Sequence, residues 1–311
     1  MARSLTGGTR GFIRGKVASD LYQVTRNARG RKVQLVRAVE ESRVNPNTID
    51  QAIARMNMAM CMGSLAQFKE IVDHSFEGVP YGQLSIAHFV KKNIPLIQED
   101  EKAHWEDGNL FDYPTKGKSV IRAGAWLMSE GSLQVPSVIH ISTSNASYYP
   151  TSLVIELRKP YARFRDLKEA LGASAGDYIT VILFGVTFPA SFNRILYRRF
   201  YLAQDITDDT VITPANANSM FTYDGNTTHT LNYYQNYGTF NFHLSPATSN
   251  GTLNAIQKCL IVSKWNGKVW QRNTASFEMT RDDIPTEDYL TRPMDVFETW
   301  FPDWDGNNPF E

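Results

Sequence analysis

The sequence is short of cysteine, of net charge and of long apolar runs. Among its 311 residues are two cysteines, Cys61 and Cys259, too few for a disulfide framework or a zinc site. Cys61 sits in a Met-rich stretch and is expected to pack as a small hydrophobe. No apolar run is long enough to span a bilayer, and the amino-terminal residues lack the apolar core of a secretory signal. No membrane contact and residence in a cytoplasm are therefore expected. The six histidines, His74, His88, His104, His140, His229 and His243, form neither a two-His helical metal spacing nor a Cys/His cluster. Gly-x-Ser-x-Gly, the P-loop and the dinucleotide glycine fingerprint are absent. Asp303-Trp-Asp305-Gly306-Asn307 resembles a calcium loop superficially, but the glycine comes too early and no closing carboxylate follows. Asp205, Asp208 and Asp209 form a local acidic group without a metal-site pattern. No catalytic residue, metal ligand or cofactor is assigned, and the chain is read as a non-enzyme.

What is present is a core's worth of apolar residues, 42% hydrophobic against 21% charged, and a separation of charge between the two ends. Residues 1–37 carry nine Lys/Arg and one acid, Asp20, for a net of +8. Residues 282–311 carry nine acids and one base, Arg292, for a net of −8. Opposite charge at the ends suits contact between ends, within a chain or between copies.

The chain reads as four segments. Residues 1–18 are a basic, Gly-rich arm without a core of its own. Residues 19–118 hold a hairpin, a helical segment and a linker. The hairpin runs Leu21–Arg26, turn Asn27–Gly30, and Arg31–Arg37, with Val33 and Leu35 alternating with polar residues. A helix starts near Thr48, with Ile49, Ile53, Met56 and Met60 on one face. Gly63-Ser64 is expected to interrupt it, and a third helix from Ser85 is expected to stop before Pro95. Residues 98–118 read as linker, pinned by Trp105 and Phe111.

Residues 119–280 turn to β. Candidate strands are 120–128, 137–142, 152–157, 178–186, 195–203, 239–244, 256–265 and 268–273. Arg165–Leu171 reads as a short helix ended by Gly172. Asn266-Gly267 reads as a two-residue hairpin turn. Residues 205–237 and 245–254 read as long polar loops. Residues 281–311 form an acidic tail rich in aromatics, whose rings need a surface to cover. The fold class expected is α+β and β-dominated: an N-terminal β-hairpin plus helical segment, then a β-sandwich or partly open barrel.

Gly15-Lys16-Val17, Val33–Arg37, Asn45-Pro46-Asn47-Thr48, Gln51 and Arg55-Met56 together resemble an uncharacterised family of Bacteroidetes and crAss-like phage proteins. Those begin with a Gly-rich arm and a hairpin, followed by a helix start and a β-rich remainder. Cys259–Asn273, with Asn266-Gly267-Lys268-Val-Trp270-Gln-Arg272, is similar to that family's C-terminal hairpin. The motifs are structural, so no active-site residue carries over, and the long polar loops and aromatic tail depart from the family.

The resemblance implies a structural subunit of a tailed bacteriophage virion, in a homo-oligomeric ring in the tail or at the head-tail junction. Its partners would be other copies and neighbouring portal, tail or adjacent ring proteins, with nucleic acid a less favoured partner of the arm. It would be found in the virion, assembled in the host cytoplasm. The residues expected at subunit interfaces are Arg3, Arg10, Arg14, Lys16, Tyr289, Phe297, Trp300, Phe301, Trp304 and Phe310. The alternative is a carbohydrate- or cell-surface-binding module, using Tyr148, Tyr149, Tyr223, Tyr233, Tyr234 and Tyr237 among Asn and Thr.

Overall fold

The computed structural model describes residues 3–4, 13–17, 20–26, 32–38, 48–103, 105–106, 126–143, 151–158, 162–187, 192–245, 255–279, 293–301 and 307. The chain divides into two compact units, residues 1–48 and 49–311. The first holds four antiparallel strands in sequential order: β1 (Arg3–Ser4), β2 (Ile13–Val17), β3 (Asp20–Arg26) and β4 (Lys32–Ala38). The hairpin is thus β3–β4. Part of the expected coreless arm is instead two further strands, β2 pairing with β3 and β1 with β2.

The second unit starts with α1 (Ile49–Val72) and α2 (Gln83–Ala103). Gly63 does not break α1. Around it Met60, Cys61, Ser64 and Leu65 are all buried, and this packing outweighs the ~1 kcal/mol that a mid-helix glycine costs. Pro95 lies inside α2 rather than beyond it. Proline removes the N–H that would bond the carbonyl of Lys91. Both residues are exposed, so water can take that carbonyl and the helix continues to Ala103. The expected linker is helical over its first residues. Trp105 is buried against Phe297, centroids 5.4 Å apart, while Phe111 lies outside the described residues.

Two sheets and a small strand pair follow. The central sheet has the order β10 (Phe221–Gly225), β9 (Phe192–Leu202), β8 (Tyr178–Thr187), β13 (Ala255–Trp265), β14 (Trp270–Arg272), with β16 (Glu278–Met279) also on β13. All pairs are antiparallel. The outer sheet has the order β11 (Thr228–Tyr234), β12 (Thr239–Ser245), β7 (Thr151–Glu156), β6 (Ile139–Thr143). A small pair joins β5 (Leu127–Ser129) to β15 (Ala275–Ser276). The sheets are packed face to face and not closed into a barrel.

The central sheet is buried on both faces because its strands carry apolar residues at consecutive positions. In β8, Ile179, Val181 and Leu183 face the outer sheet, packing with Leu153, Ile155, Phe240 and Phe242. Ile182 and Phe184 face the helices, packing with Phe68, Phe89, Trp126 and Phe277. The helices therefore share their core with the β-rich region. The sequence-based segment 19–118, hairpin plus helices, is divided at residue 48, and its helices belong to the larger unit. The helix α3 (Phe164–Leu171) caps the outer core with Phe164, Leu167 and Leu171, and Gly172 ends it in the left-handed region, φ 54°.

Three local readings change. The β13–β14 hairpin closes with four residues, Asn266–Val269, not two. Asn266 Oδ1 accepts the N–H groups of Lys268 and Val269, and Gly267 supplies φ 90°. The expected loop 205–237 contains β10, β11 and a 3₁₀ turn at Ala217–Met220. The expected acidic, aromatic tail contains α4 (Pro293–Trp300). Among the described residues no helix is long and apolar enough to cross a membrane.

Candidate functional site

Of the expected interface residues, those at the amino-terminal end lie in the small sheet. Arg3 pairs with Arg14, Lys16 with Leu21, and Leu21 with Arg37. Opposed residues and alternate residues of a strand share a face. Arg3, Arg14, Lys16 and Arg37 therefore fall on one face of that sheet, and Asp20, opposite Val17, on the other. Arg10, Tyr289, Trp304 and Phe310 lie outside the described residues, and Trp300 is the last residue of α4. Phe297 is only 1% exposed, inside its own chain's core, in edge contact with Trp105 and tilted against Phe301. This corrects its assignment to an intersubunit surface: an amphipathic turn of helix has carried it inward, with Phe301 packed partly behind it.

The chemistry-bearing side chains are largely consumed in holding the layers together. Arg272, 2% exposed, donates from Nε to the carbonyl of His74 (2.6 Å) and from Nη2 to Tyr178 Oη (3.3 Å). Glu77 accepts N–H bonds from Ser132 and Arg272. Burial alone would raise its pKa, but these bonds and the Arg272 charge win and lower it. Glu130 accepts from Lys92 (2.6 Å) and contacts His88 (2.7 Å), which lowers its pKa. Asn93 bridges α2 to Leu127, using both ends of its amide. Asn273 does the same for β13: Oδ1 accepts the Val262 N–H (2.7 Å) and Nδ2 donates to the Leu260 carbonyl (3.0 Å). Its side chain fills the stretch of strand edge between β14 and β16.

Between the sheets, Arg198 donates from Nε to His229 Nδ1 (3.2 Å) and lies over the Tyr223 ring. Burial, then the Arg198 charge, pushes His229 down to about 4, so the imidazole is neutral and structural. Burial pushes the Cys61 thiol up to about 12, in keeping with a packing role. Asp208 and Asp209 pair with Lys168, Arg163 and Arg165 on the surface. Surface pairs of this kind contribute little. Among the described residues no three His, Cys, Asp or Glu side chains gather as a metal site.

Among the tyrosines of the carbohydrate alternative, Tyr223 and Tyr233 pack partly against the outer core. Tyr234 and Tyr237 are exposed, and Tyr148 and Tyr149 lie outside the described residues. A different aromatic group is gathered by the fold. On the helix-facing side of the central sheet, beyond the end of α1, Tyr201, Tyr178, Trp270 and Trp265 form one ribbon. Successive centroids are 4.8, 5.2 and 5.5 Å apart. Tyr178 is directly opposite Tyr201, and Trp265 opposite Trp270. The Arg272 guanidinium lies 5.9 Å from the Tyr178 centroid and 5.4 Å from that of Trp270. The connection from α1 to α2 flanks it, with His74 and Tyr81 in edge contact at 4.4 Å. The only local signal in the sequence was the pair of tryptophans around the Asn-Gly turn.

No family model matches the chain, and no curated protein and no solved structure matches it.

Proposed function

We propose that the chain is a structural subunit of a tailed-phage virion, assembling with copies of itself into a ring of the tail or the head-tail junction. The observation that carries this reading is the composition of the first unit: one four-stranded sheet with no second layer among its described residues. A single sheet cannot bury its apolar face alone. Ile13, Val17, Tyr22, Val24 and Val36 share one face by register, together with Asp20, Arg26 and Lys32, and a neighbouring copy is the cover that a ring supplies. Such contacts are heterologous, one patch meeting a different patch on the next copy. The opposite face carries Leu21, Val33 and Leu35 with Arg3, Arg14, Lys16 and Arg37, and those four cations are a basic match for the −8 of residues 282–311. The use of His88, Glu130, Arg272 and His229 as internal ties favours a scaffold over a catalyst. The resemblance to phage proteins supplies the virion setting.

The test is the mass in solution of the full chain, alone and mixed with neighbouring virion proteins. A defined oligomer is expected, and charge reversal of Arg14, Lys16 and Arg37 to Glu should slow its formation, most strongly at low salt. A full chain that stays monomeric in every mixture overturns the proposal.

A further inference from the structure

The aromatic ribbon is a feature that the scaffold reading leaves without a use. Its floor comes from three separate stretches of chain: Tyr178 at the start of β8, Tyr201 near the end of β9, and Trp265 and Trp270 either side of the β13–β14 turn. Trp265 is 47% exposed, and Tyr178, Tyr201 and Trp270 are each partly exposed. The wall is formed by Tyr81, 57% exposed, and His74. The His74 carbonyl accepts from Arg272 Nε, which places His74 beside the ribbon, and Tyr81 is in edge contact with its ring.

The rings are held in place from beneath. Arg272 is fixed by the carbonyls of His74 and Gln271 and by Tyr178 Oη. Arg199 bonds the Glu70 carbonyl and Asp224. Both guanidiniums are therefore already engaged and do not demand an anion. The Tyr178 phenol, accepting from Arg272, keeps its own proton to donate. Beside Tyr201 the register sets the exposed Thr222, and beside Arg199 the exposed Asp224. His74 is held toward its neutral form by burial and by the two arginines.

A row of partly exposed rings, tilted at 40°, 60° and 54° to their neighbours, with hydroxyls, a carboxylate and an imidazole along its edge is complementary to one ligand chemistry. Such a ligand has apolar C–H faces at regular intervals, many hydroxyls and no charge. We propose that this shelf binds a neutral glycan chain. Pyranose rings would lie on Tyr201, Tyr178 and the two tryptophans, and Thr222, Asp224 and the phenols would take the sugar hydroxyls. Aromatic faces offer such contact at low conformational cost because the rings are pre-set. Trp, Tyr and Arg also dominate protein hot spots. The polar border and the partial exposure of every ring favour the sugar, since a hot-spot cluster needs a surrounding seal that excludes water.

Affinity electrophoresis of the full chain through gels containing xylan, mannan, soluble cellulose derivative or starch tests this directly, with a glycan array for shorter chains. Retardation by at least one neutral polysaccharide is expected. Trp265→Ala, at the exposed end of β13, should weaken it about tenfold with unchanged circular dichroism. Tyr201→Ala should weaken it further, and Tyr201→Phe should retain most of it. Absence of binding to every neutral glycan overturns the proposal. So does a Trp265→Ala chain that binds glycan normally but loses oligomer mass, which would make the ribbon a protein contact.

Discussion

Replacing Asn273 with alanine tests whether one side chain stands in for a missing strand. The amide of Asn273 satisfies the Val262 N–H and the Leu260 carbonyl, both on the β13 edge between its pairings with β14 and β16. Alanine leaves both without that partner. Val262 is buried, so its orphaned N–H carries the full desolvation penalty of about 1–3 kcal/mol. Leu260 borders an open cleft of about 470 Å³, lined also by Val135, Ile141, Lys258 and Thr274. Water in that cleft can take its carbonyl, so only the net worth of one hydrogen bond is lost there, about 0.5–1.5 kcal/mol. The sum is about 3 kcal/mol, a large share of the roughly 5–15 kcal/mol that holds a domain together. The Asn273 backbone carbonyl, which accepts from Ser129 Oγ, is untouched, so the effect is confined to the amide. Urea denaturation followed by circular dichroism gives the loss. Amide hydrogen exchange at Val262 gives the location, and it should accelerate more than exchange at Ile182. A loss below about 1 kcal/mol with unchanged exchange at Val262 refutes the reasoning.

Other outcomes follow from the same structure. His229 is depressed to about 4 by burial and Arg198, so between about 4 and its ordinary value near 6.5 the unfolded chain binds the proton and the folded chain does not. Its contribution to stability is complete above that window and is lost as pH falls through it; His229→Gln should flatten the urea midpoint between pH 4 and 7. Pro95→Ala should stabilise the protein, by up to about 3 kcal/mol, seen as a higher urea midpoint. Phe297→Ala should destabilise the larger unit by about 3–5 kcal/mol, which a thermal melt would show, and a tail that only docks between subunits would not produce it. In a Cys259→Ser background, Cys61 should resist thiol reagents in the native protein and react on unfolding, because its thiol is buried and held near 12.

Much of the β-rich region was legible because its strands are apolar enough to be seen without their partners. Residues 178–186 and 256–265 read as strands directly, within a residue of β8 and β13. β11 did not: its residues alternate exposed and half-buried through Thr, Asn and Tyr, a composition shared with loops. Gly63 and Pro95 misled for the opposite reason. They are strong local punctuation, overridden in one case by burial around the glycine and in the other by a proline turned to solvent. Phe297 was read as needing an external surface because the tail's charge hid its one inward face. The ribbon was invisible because register, not spacing, brings Tyr178 opposite Tyr201 and Arg272 beside them.

The two-sided burial of the central sheet also limits how this sequence can vary. Along β8, Val181 and Leu183 supply one core while Ile182 and Phe184 supply the other. Deleting or inserting a single residue in that strand would exchange the two sets from that point on. Phe184 would then be forced among the side chains of the outer sheet, and Leu183 left to fill a space shaped for an aromatic ring beside Phe277. Length changes are therefore confined to the connections, and descendants of this chain should keep the strand lengths of β8, β9 and β13 while their loops grow and shrink.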